Sequence, residues 1–208
     1  SDFPAELGGF VPDSKYYNRV YGKGGWKATT VISLSIGQGE LGCTPLHLAT
    51  LCAPIANRGY YKIPHIVKDS EHVEIDPKYK EKQYTLVDTL HFPKVINGMY
   101  RAVNSPFGSG ATASIAAVDG LEICGKTGTA QNPHGDDHSV FICFAPMDNP
   151  KIAVAAYIEN GGFGASYAAP IASLLTEMYL NKEIGADRKD LEKRMKNSNL
   201  LHKVKKTK

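Results

Sequence analysis

The sequence predicts an α/β fold of the α+β type, in which an antiparallel sheet carries helices on both faces. Three short apolar segments follow one another in residues 122–158, and only a few residues connect them. Such tight connections are typical of neighbouring antiparallel strands. Segments with helical periodicity lie before and after them, each with a proline in its first turn. This order of elements leads to the predicted fold class.

The predicted strands are residues 122–130, 139–145 and 151–158. Polar turn residues join the first pair, and a loop that holds Pro146 and Pro150 joins the second pair. The second and third strands are apolar at consecutive positions rather than at alternate ones. Both of their faces should therefore be buried, and helices are expected on each side of the sheet.

Three helices are predicted around this sheet. The first begins at Pro45 with Thr44 as its cap, and Pro54 is expected to kink it. The second covers residues 93–103, where apolar side chains recur at helical spacing. The third has Pro170 in its first turn and continues with an apolar stripe.

The amino-terminal part of the sequence has no regular period. Residues 1–40 are rich in Gly, Tyr and Lys, and we predict that they are mostly loop. The chain opens at Ser1 without an initiator Met, which we interpret as a piece of a longer protein. No apolar run has the length of a membrane span, and no signal-peptide pattern is present.

Charge is distributed unevenly along the chain. The sequence has 24 Lys and Arg against 21 Asp and Glu, of which ten and four respectively lie from Lys182 onward. We expect one domain in residues 1–181 and a basic, flexible tail in residues 182–208. Nucleic-acid binding by this tail is not favoured, because basic residues are not interleaved with aromatic ones and no nucleic-acid-binding fold is recognisable.

Neither a metal site nor a disulfide framework is predicted. The four cysteines form no C-x-x-C pair and are interpreted as buried packing residues. They are Cys43, Cys52, Cys124 and Cys143. A group of His and Asp residues in the loop between the first two strands lacks an ordered ligand spacing and is typical of a polar turn. These residues are His134, Asp136, Asp137 and His138.

Residues 123–130, Ile-Cys-Gly-Lys-Thr-Gly-Thr-Ala, have the clearest chemical character. Lys126 supplies an ammonium group, and Thr127 and Thr129 supply hydroxyls that can make charge-assisted hydrogen bonds with an acid. Gly128 allows the backbone of a ligand to lie close to the strand. The segment therefore predicts a strand that binds a carboxylate and accepts an extended ligand as an additional strand.

The same residues also match the P-loop pattern G-x-x-x-x-G-K-[ST], from Gly120 to Thr127. A P-loop leads into a helix whose first amides face the phosphates. Here residues 121–124 alternate like a strand, and Gly128 and Pro133 oppose a helix after the motif. Nucleotide binding is therefore the weaker hypothesis.

The K-T-G sequence at residues 126–128 resembles a box of penicillin-binding proteins and serine β-lactamases. Other segments are similar, in the same order, to class B penicillin-binding proteins, and most of all to the elongation-type penicillin-binding protein 2. They are residues 33–39, 138–146, 159–162 and 169–172. The resemblance covers roughly residues 25–180. It implies the carboxy-terminal portion of a β-lactamase/transpeptidase-like fold.

This resemblance implies a serine-type D,D-transpeptidase that cross-links peptidoglycan, maintains cell shape and is acylated by β-lactams. Lys126, Thr127, Gly128 and Thr129 would bind the carboxylate of a stem peptide or drug, and Thr129 would also supply an oxyanion-hole amide. It implies no cofactor. It further implies a periplasmic or extracytoplasmic location, an amino-terminal membrane anchor, and a membrane glycosyltransferase and the elongation machinery as partners.

The nucleophile of this family is missing from the sequence. The family carries an S-x-x-K box and an S-x-N box before K-T-G. No serine of this chain has Lys three positions later or Asn two positions later. A serine without a base is a weak nucleophile, so we expect no catalytic serine here and no activity of the chain alone. A serine β-lactamase or a β-lactam sensor of the same fold stays open as an alternative.

The third predicted strand has a further consequence. In the family, two early strands pair beside the strand that corresponds to residues 151–158. Without them, this strand would expose an unpaired apolar edge, which favours association. We therefore expect the chain to self-associate through that edge.

Overall fold

Six α-helices and five β-strands make up the computed structural model over the residues that it describes, which are 1–70, 73–106 and 109–201. The helices are α1 (Ser14–Tyr21), α2 (Ala28–Ser35), α3 (Pro45–Ala56), α4 (Phe92–Asn104), α5 (Ala168–Asn181) and α6 (Lys189–Asn197). The strands are β1 (Tyr60–Tyr61), β2 (Gln83–Tyr84), β3 (Cys124–Ala130), β4 (His138–Ala145) and β5 (Ile152–Ile158). The first two strands form a small separate sheet.

The main sheet is antiparallel and has the strand order β3-β4-β5. Its register pairs Thr127 with Phe141, and Phe141 with Ala156. The central strand β4 is buried or half-buried at every position, because it has a neighbour on each side and helices above and below. The three predicted strands and their antiparallel order are confirmed, with starts that differ by one or two residues from the prediction.

Helices cover both faces of this sheet, as predicted. On one face, Phe141 and Cys143 pack against three small residues of α5, Ala168, Ala169 and Ala172. On the other face, Cys124 and Phe144 pack with apolar side chains of α3 and α4, which are Cys52, Phe92, Ile96 and Met99. Fully burying a side chain of the size of Phe contributes about 1.5–3 kcal/mol, so these two layers supply much of the driving force for folding.

One position in β3 depends on the absence of a side chain. A Cβ atom at Gly125 would lie 2.2 Å from Cζ of Phe141. The Phe141 ring is fully buried and packs in the core between β4 and α5. Gly125 therefore allows the start of β3 to lie close to the central strand.

The three predicted helices are confirmed as α3, α4 and α5. At the start of α3, Thr44 Oγ1 accepts a hydrogen bond from the backbone N–H of His47 at 3.1 Å. The backbone N–H of Thr44 donates in return to Nδ1 of His47 at 3.3 Å, so a histidine completes the capping box. Pro54 lies in the last turn of α3, and α4 begins at Phe92, one residue before the prediction.

The prediction that residues 1–40 are mostly loop is wrong for α1 and α2. The carboxylate of Asp13 caps α1 by accepting a hydrogen bond from the backbone N–H of Tyr16 at 2.8 Å. Tyr17 is only 2% exposed, and its hydroxyl donates to the carboxylate of Glu40 at 2.9 Å. The helix is fixed by this contact with a distant residue, which a periodicity of apolar residues does not reveal.

Part of the expected flexible tail, residues 182–208, is instead folded. Arg188 is 7% exposed and donates to the carboxylate of Glu177 on α5 at 2.9 Å. This buried ion pair holds the chain against α5 just before α6 begins. Residues 202–208 of the predicted tail lie outside the described residues.

Arg188 also connects two other segments. Its Nη1 donates to the carbonyl oxygen of Ala117 at 2.6 Å, and its Nη2 donates to Oγ of Ser173 at 2.6 Å. The second carboxylate oxygen of Glu177 accepts from the backbone N–H of Gly185 at 2.8 Å. Both buried charges therefore have several partners, and the network ties the loop before β3 to α5.

The cysteine prediction is confirmed for three of the four residues. Cys52, Cys124 and Cys143 are buried, whereas Cys43 is exposed. Burial raises the pKa of Cys124 and of Cys143 to about 12, and it raises the pKa of Cys52 further. These three thiols are therefore packing groups and not nucleophiles at neutral pH.

Candidate substrate-binding site

The four predicted binding residues lie on a strand at the edge of the sheet. They are Lys126, Thr127, Gly128 and Thr129, the third to sixth residues of β3. Among the described strands, β3 pairs only with β4, so its other edge carries no strand. Because side chains alternate along a strand, Lys126 lies on the α3–α4 side and the two threonines lie on the α5 side. The strand thus combines a cation, two hydroxyls and an open backbone edge.

Lys126 is exposed, and its ammonium group lies against its own strand. Nζ donates to the carbonyl oxygen of Thr127 at 2.7 Å. Oγ1 of Thr127 lies 3.1 Å from Oγ1 of Thr112, in the loop after α4. Thr112 was not marked by any sequence pattern, because only the folded loop brings it to β3. Its hydroxyl gives Thr127 a partner that can orient the hydroxyl hydrogen.

A turn between β5 and α5 packs on the α5 side of β3. A Cβ atom at Gly164 would lie 2.7 Å from the carbonyl oxygen of Gly128 and 2.5 Å from that of Val140. The buried hydroxyl of Ser139 holds the same turn by donating to the carbonyl oxygen of Phe163 at 2.8 Å. The backbone of the turn therefore lies directly against the K-T-G segment and limits its movement.

Asn160 joins this turn to the loop between β3 and β4. Its side-chain oxygen accepts from Nδ2 of Asn132 at 3.0 Å, and its backbone N–H donates to Nδ1 of His138 at 3.1 Å. The backbone N–H of Gly162 donates to the carbonyl oxygen of Asp137 at 2.7 Å. Two segments that were recognised separately in the sequence, residues 138–146 and 159–162, thus meet at one end of the sheet.

Asp137 and His138 stabilise the β3–β4 loop through hydrogen bonds. Asp137 Oδ1 accepts from the backbone N–H of Asn132 at 3.3 Å, while His138 has the bond to Asn160 described above. Over residues 1–70, 73–106 and 109–201, no three His, Cys, Asp or Glu side chains are grouped as metal ligands would be. The geometry is that of a hydrogen-bonded loop.

A groove of about 610 Å³ lies at the carboxyl end of β3. One wall is a turn formed by residues 37–39 with Leu41, and the other is formed by residues 130–133 with Asp137. Gly37 and Gly39 have φ of 79° and 70°, which favours glycine on each side of Gln38. The groove begins where β3 ends, and the four predicted binding residues lie before it rather than in its walls.

The turn at Gln38 is held in place by α1. The carboxylate of Glu40 accepts hydrogen bonds from the hydroxyls of Tyr17 and Tyr21, each at 2.9 Å. The bond from Tyr17, followed by that from Tyr21, lowers the pKa of Glu40. Burial, followed by the bond to Glu40, raises the pKa of Tyr17 to about 12. The charged carboxylate thus anchors one wall of the groove.

The geometry also distinguishes between the two interpretations of the Gly120–Thr127 pattern. Lys126 and Thr127 lie inside β3, and the next element after this strand is β4. No helix begins at the motif, so no helical amides face Lys126 as they do in a P-loop. The arrangement agrees with a strand that accepts an extended ligand.

Comparison with known proteins decides the family. The sequence model described as "Penicillin binding protein transpeptidase domain" matches residues 1–177. The chain belongs to the penicillin-binding protein transpeptidase family. The family resemblance inferred from the K-T-G segment is thus confirmed, and so is the fold, since solved transpeptidases have the same architecture.

Relatives of the transpeptidase family match most of this chain but are much longer. A peptidoglycan D,D-transpeptidase MrdA of Haemophilus influenzae is 33% identical over 195 residues, which is 84% of this chain and 29% of the relative. The chain thus spans about three tenths of the length of that curated relative. A solved structure of Pseudomonas aeruginosa PBP2 in complex with WCK 5153 is 30% identical, with a TM-score of 0.72, and the match covers 90% of this chain and 42% of that one.

Two other transpeptidase structures resemble the chain less closely. The ceftriaxone acyl-enzyme complex of penicillin-binding protein A from Mycobacterium tuberculosis is 32% identical with a TM-score of 0.59, covering 71% of this chain and 35% of that one. The complex of PBP2 with MreC from Helicobacter pylori has a TM-score of 0.68 and covers 86% of this chain and 31% of that one. At 24% identity, this last likeness concerns the fold alone.

Proposed function

We propose that the chain provides the carboxylate-binding strand of a peptidoglycan D,D-transpeptidase. The observation that carries the proposal is the position of the K-T-G segment, with an exposed ammonium group and two hydroxyls on the open edge strand β3 of a penicillin-binding transpeptidase. The name of the MrdA relative supports this activity. The substrate would be a stem peptide that ends in D-Ala-D-Ala, or a β-lactam that resembles it.

Lys126 and the backbone of β3 would hold the acidic end of this substrate. A carboxylate can replace the Thr127 carbonyl as the acceptor of the hydrogen bond from the Lys126 ammonium group. The resulting bond between two opposite charges is stronger than the bond to a carbonyl. Because the exposed ammonium group of Lys126 reaches the carbonyl of Thr127, we infer that this carbonyl points to the open edge of β3. Thr129, two residues further on, presents its backbone N–H to the same edge. There it can donate to the oxyanion, a contribution of about 3–4 kcal/mol to transition-state stabilisation.

The substrate would extend from Lys126 toward the carboxyl end of β3. The opposite direction is closed, because Cys124 and Gly125 are buried. Lys126 and Ala130 are about 13 Å apart along an extended strand. A peptide with its carboxylate at Lys126 would therefore place its earlier residues in the groove beside Gln38 and Asn132.

Acyl transfer needs a serine from outside these 208 residues. In the proposed reaction, that serine Oγ attacks the carbonyl carbon of the penultimate D-Ala and loses its proton to a base. The peptide C–N bond breaks, and the terminal D-Ala leaves with a proton on its amine. An amine of a second stem peptide then displaces the serine and forms the cross-link. The present chain would bind the substrate and stabilise the oxyanion in both steps.

The location and partners follow from this proposed activity. Peptidoglycan is cross-linked outside the cytoplasm, so we place the protein at the periplasmic or extracytoplasmic face of the inner membrane. Within residues 1–70, 73–106 and 109–201, none of the helices has both the length and the apolar character of a membrane span. Elongation proteins are proposed partners, in keeping with the resemblance of the chain to elongation-type penicillin-binding protein 2. A membrane glycosyltransferase is a further proposed partner.

Labelling with a fluorescent penicillin tests the proposal. The chain alone should not be labelled, whereas the complete product of its gene should be. Lys126→Ala in that complete protein should slow labelling roughly a hundredfold, comparable with the loss of an oxyanion-hole donor. Lys62→Ala, which changes an exposed lysine outside β3, is the matched control.

Two results would count against this function. Equal labelling rates for Lys126→Ala and the parent protein would show that Lys126 does not take part in ligand binding. Rapid turnover of a chromogenic cephalosporin, instead of stable acylation, would favour a β-lactamase. Neither measurement depends on a reconstituted cell wall.

A further inference from the structure

Ser139 is a buried polar residue on the central strand β4, beside the candidate binding strand. Its register partner on β3 is Thr129, and the side chains of such a cross-strand pair lie on the same face of the sheet. Ser139 is 0% exposed, so its hydroxyl meets neither solvent nor a ligand in the open edge. It can therefore influence the site only through the groups that it contacts.

The Ser139 hydroxyl contacts both ends of the turn between β5 and α5. Its Oγ donates to the carbonyl oxygen of Phe163 at 2.8 Å and accepts from the backbone N–H of Ala168 at 3.1 Å. Ala168 is the first residue of α5, and an amide at that position has no acceptor within its own helix. The residue before the helix provides no side-chain cap, so Ser139 supplies this cap from a neighbouring strand.

The same turn determines the direction of one amide in β3. Gly164 of the turn packs so closely on the carbonyl oxygen of Gly128 that a Cβ atom at Gly164 would lie 2.7 Å from it. The Gly128 carbonyl and the Thr129 N–H belong to one planar trans peptide group and point in opposite directions. While the turn holds the carbonyl toward β4, the Thr129 N–H therefore points to the open edge.

We propose that Ser139 is a positioning residue of the transpeptidase, which holds the Thr129 amide in the direction that an oxyanion-hole donor needs. This inference rests on the proposed function, because it concerns the same site. Ser139 is not a nucleophile, since its hydroxyl is buried and bonded to two backbone groups. It acts through the turn and through the peptide group that the turn packs against.

The predicted effect of removing this hydroxyl falls on acylation rather than on binding. Lys126 holds the carboxylate of the ligand from the opposite face of β3, where the turn does not reach. The oxyanion forms only in the transition state, so a misdirected Thr129 amide lowers the rate of acylation and leaves the initial complex intact. Since a misplacement of about 1 Å can cost roughly a hundredfold in rate, we expect a loss of about tenfold from one loosened turn.

Acylation of the complete gene product by a fluorescent penicillin over a range of drug concentrations tests this role. Such data separate the dissociation constant of the initial complex from the rate constant of acylation. Ser139→Ala should lower the rate constant about tenfold and change the dissociation constant by less than about twofold. Thr176→Val removes another fully buried hydroxyl, which bonds within α5 and not to the turn, and this matched control should leave both constants unchanged.

Three results would overturn the role of Ser139. They are acylation of Ser139→Ala at the parent rate, an effect of Ser139→Ala on the dissociation constant alone, and an equally slow Thr176→Val. If circular dichroism shows that Ser139→Ala does not fold, Ser139→Cys takes its place, because a thiol of similar size makes only weak hydrogen bonds. Its acylation should also be slowed, and an unchanged rate would overturn the proposal.

Lys126→Ala, measured in the same experiment, tests the proposed function separately. A normal acylation of Lys126→Ala would contradict the function itself. A slow Lys126→Ala beside a normal Ser139→Ala would contradict only the positioning role.

Discussion

The buried ion pair of Arg188 and Glu177 predicts a large loss of stability from one substitution. Arg188→Met removes the guanidinium group but keeps much of its apolar length. Glu177, which is 2% exposed, would retain the Gly185 amide as its partner while losing its cation. The carbonyl oxygen of Ala117 would lose its donor as well. The variant therefore leaves a buried charge without compensation.

The size of the effect can be worked out from this burial. Removing one partner of a buried pair costs about 3–5 kcal/mol of unfolding free energy. For a chain of this length, 1 kcal/mol lowers the midpoint of thermal unfolding by about 2–4 °C, so a decrease of roughly 10 °C is expected. The double variant Glu177→Leu with Arg188→Met removes both charges and should recover most of the loss.

Urea and thermal unfolding, followed by circular dichroism, provide the assay. Lys189→Met is the matched control, because it removes the adjacent cation from an exposed pair with Glu192 and should cost less than about 1 kcal/mol. A loss below about 1 kcal/mol for Arg188→Met would refute the reasoning, since this is the value of an exposed pair. A double variant that is less stable than Arg188→Met would also refute it.

The remaining predictions concern packing, thiols and capping. Gly164→Ala places a Cβ atom 2.5 Å from a carbonyl oxygen, so it should lower the free energy of unfolding, measured in urea, by about 1–3 kcal/mol. Gly8→Ala, where the added Cβ atom meets open space, is the control and should have no effect. Equal effects of the two substitutions would contradict this prediction. Cys43 alone should react with a chromogenic thiol reagent at neutral pH, and a second fast thiol would contradict the structure. Burial raises the pKa of the other three thiols well above 9.0, and to about 12 for Cys124 and Cys143. The stability that these protonated thiols provide should therefore be complete below pH 9 and be lost as the pH rises toward 12 in denaturation curves. Thr44→Ala should lower the free energy of unfolding by about 1 kcal/mol, because it removes the acceptor for the His47 amide, and Thr44→Ser should lower it much less. An unchanged free energy of unfolding for Thr44→Ala would show that the cap is not needed.

The sheet and its three covering helices could be predicted because their signals are local. Thr44 with Pro45 marks the start of α3, and the apolar run of β4 requires cover on both faces. In contrast, α6 consists mostly of charged residues, and its position depends on the contact of Arg188 with Glu177. A window of neighbouring residues cannot contain that contact.

The same distinction applies to the candidate site. The K-T-G segment could be recognised because ammonium, hydroxyl and glycine positions follow one another along one strand. Thr112 and Gly164 could not, since each reaches β3 from a different loop. The link between Asn132 and Asn160 also needs the folded sheet, although both residues belong to segments or loops that the sequence marks as turns.

One peptide bond separates two positions of β3 that are constrained for different reasons. Gly125 touches the Phe141 ring and leaves no room for a methyl group, whereas the Lys126 side chain is exposed. A substitution at Lys126 should therefore impair ligand binding and leave the chain above its unfolding threshold, while one at Gly125 should threaten folding itself. Selection for binding and selection for folding would thus act on neighbouring residues of the same strand.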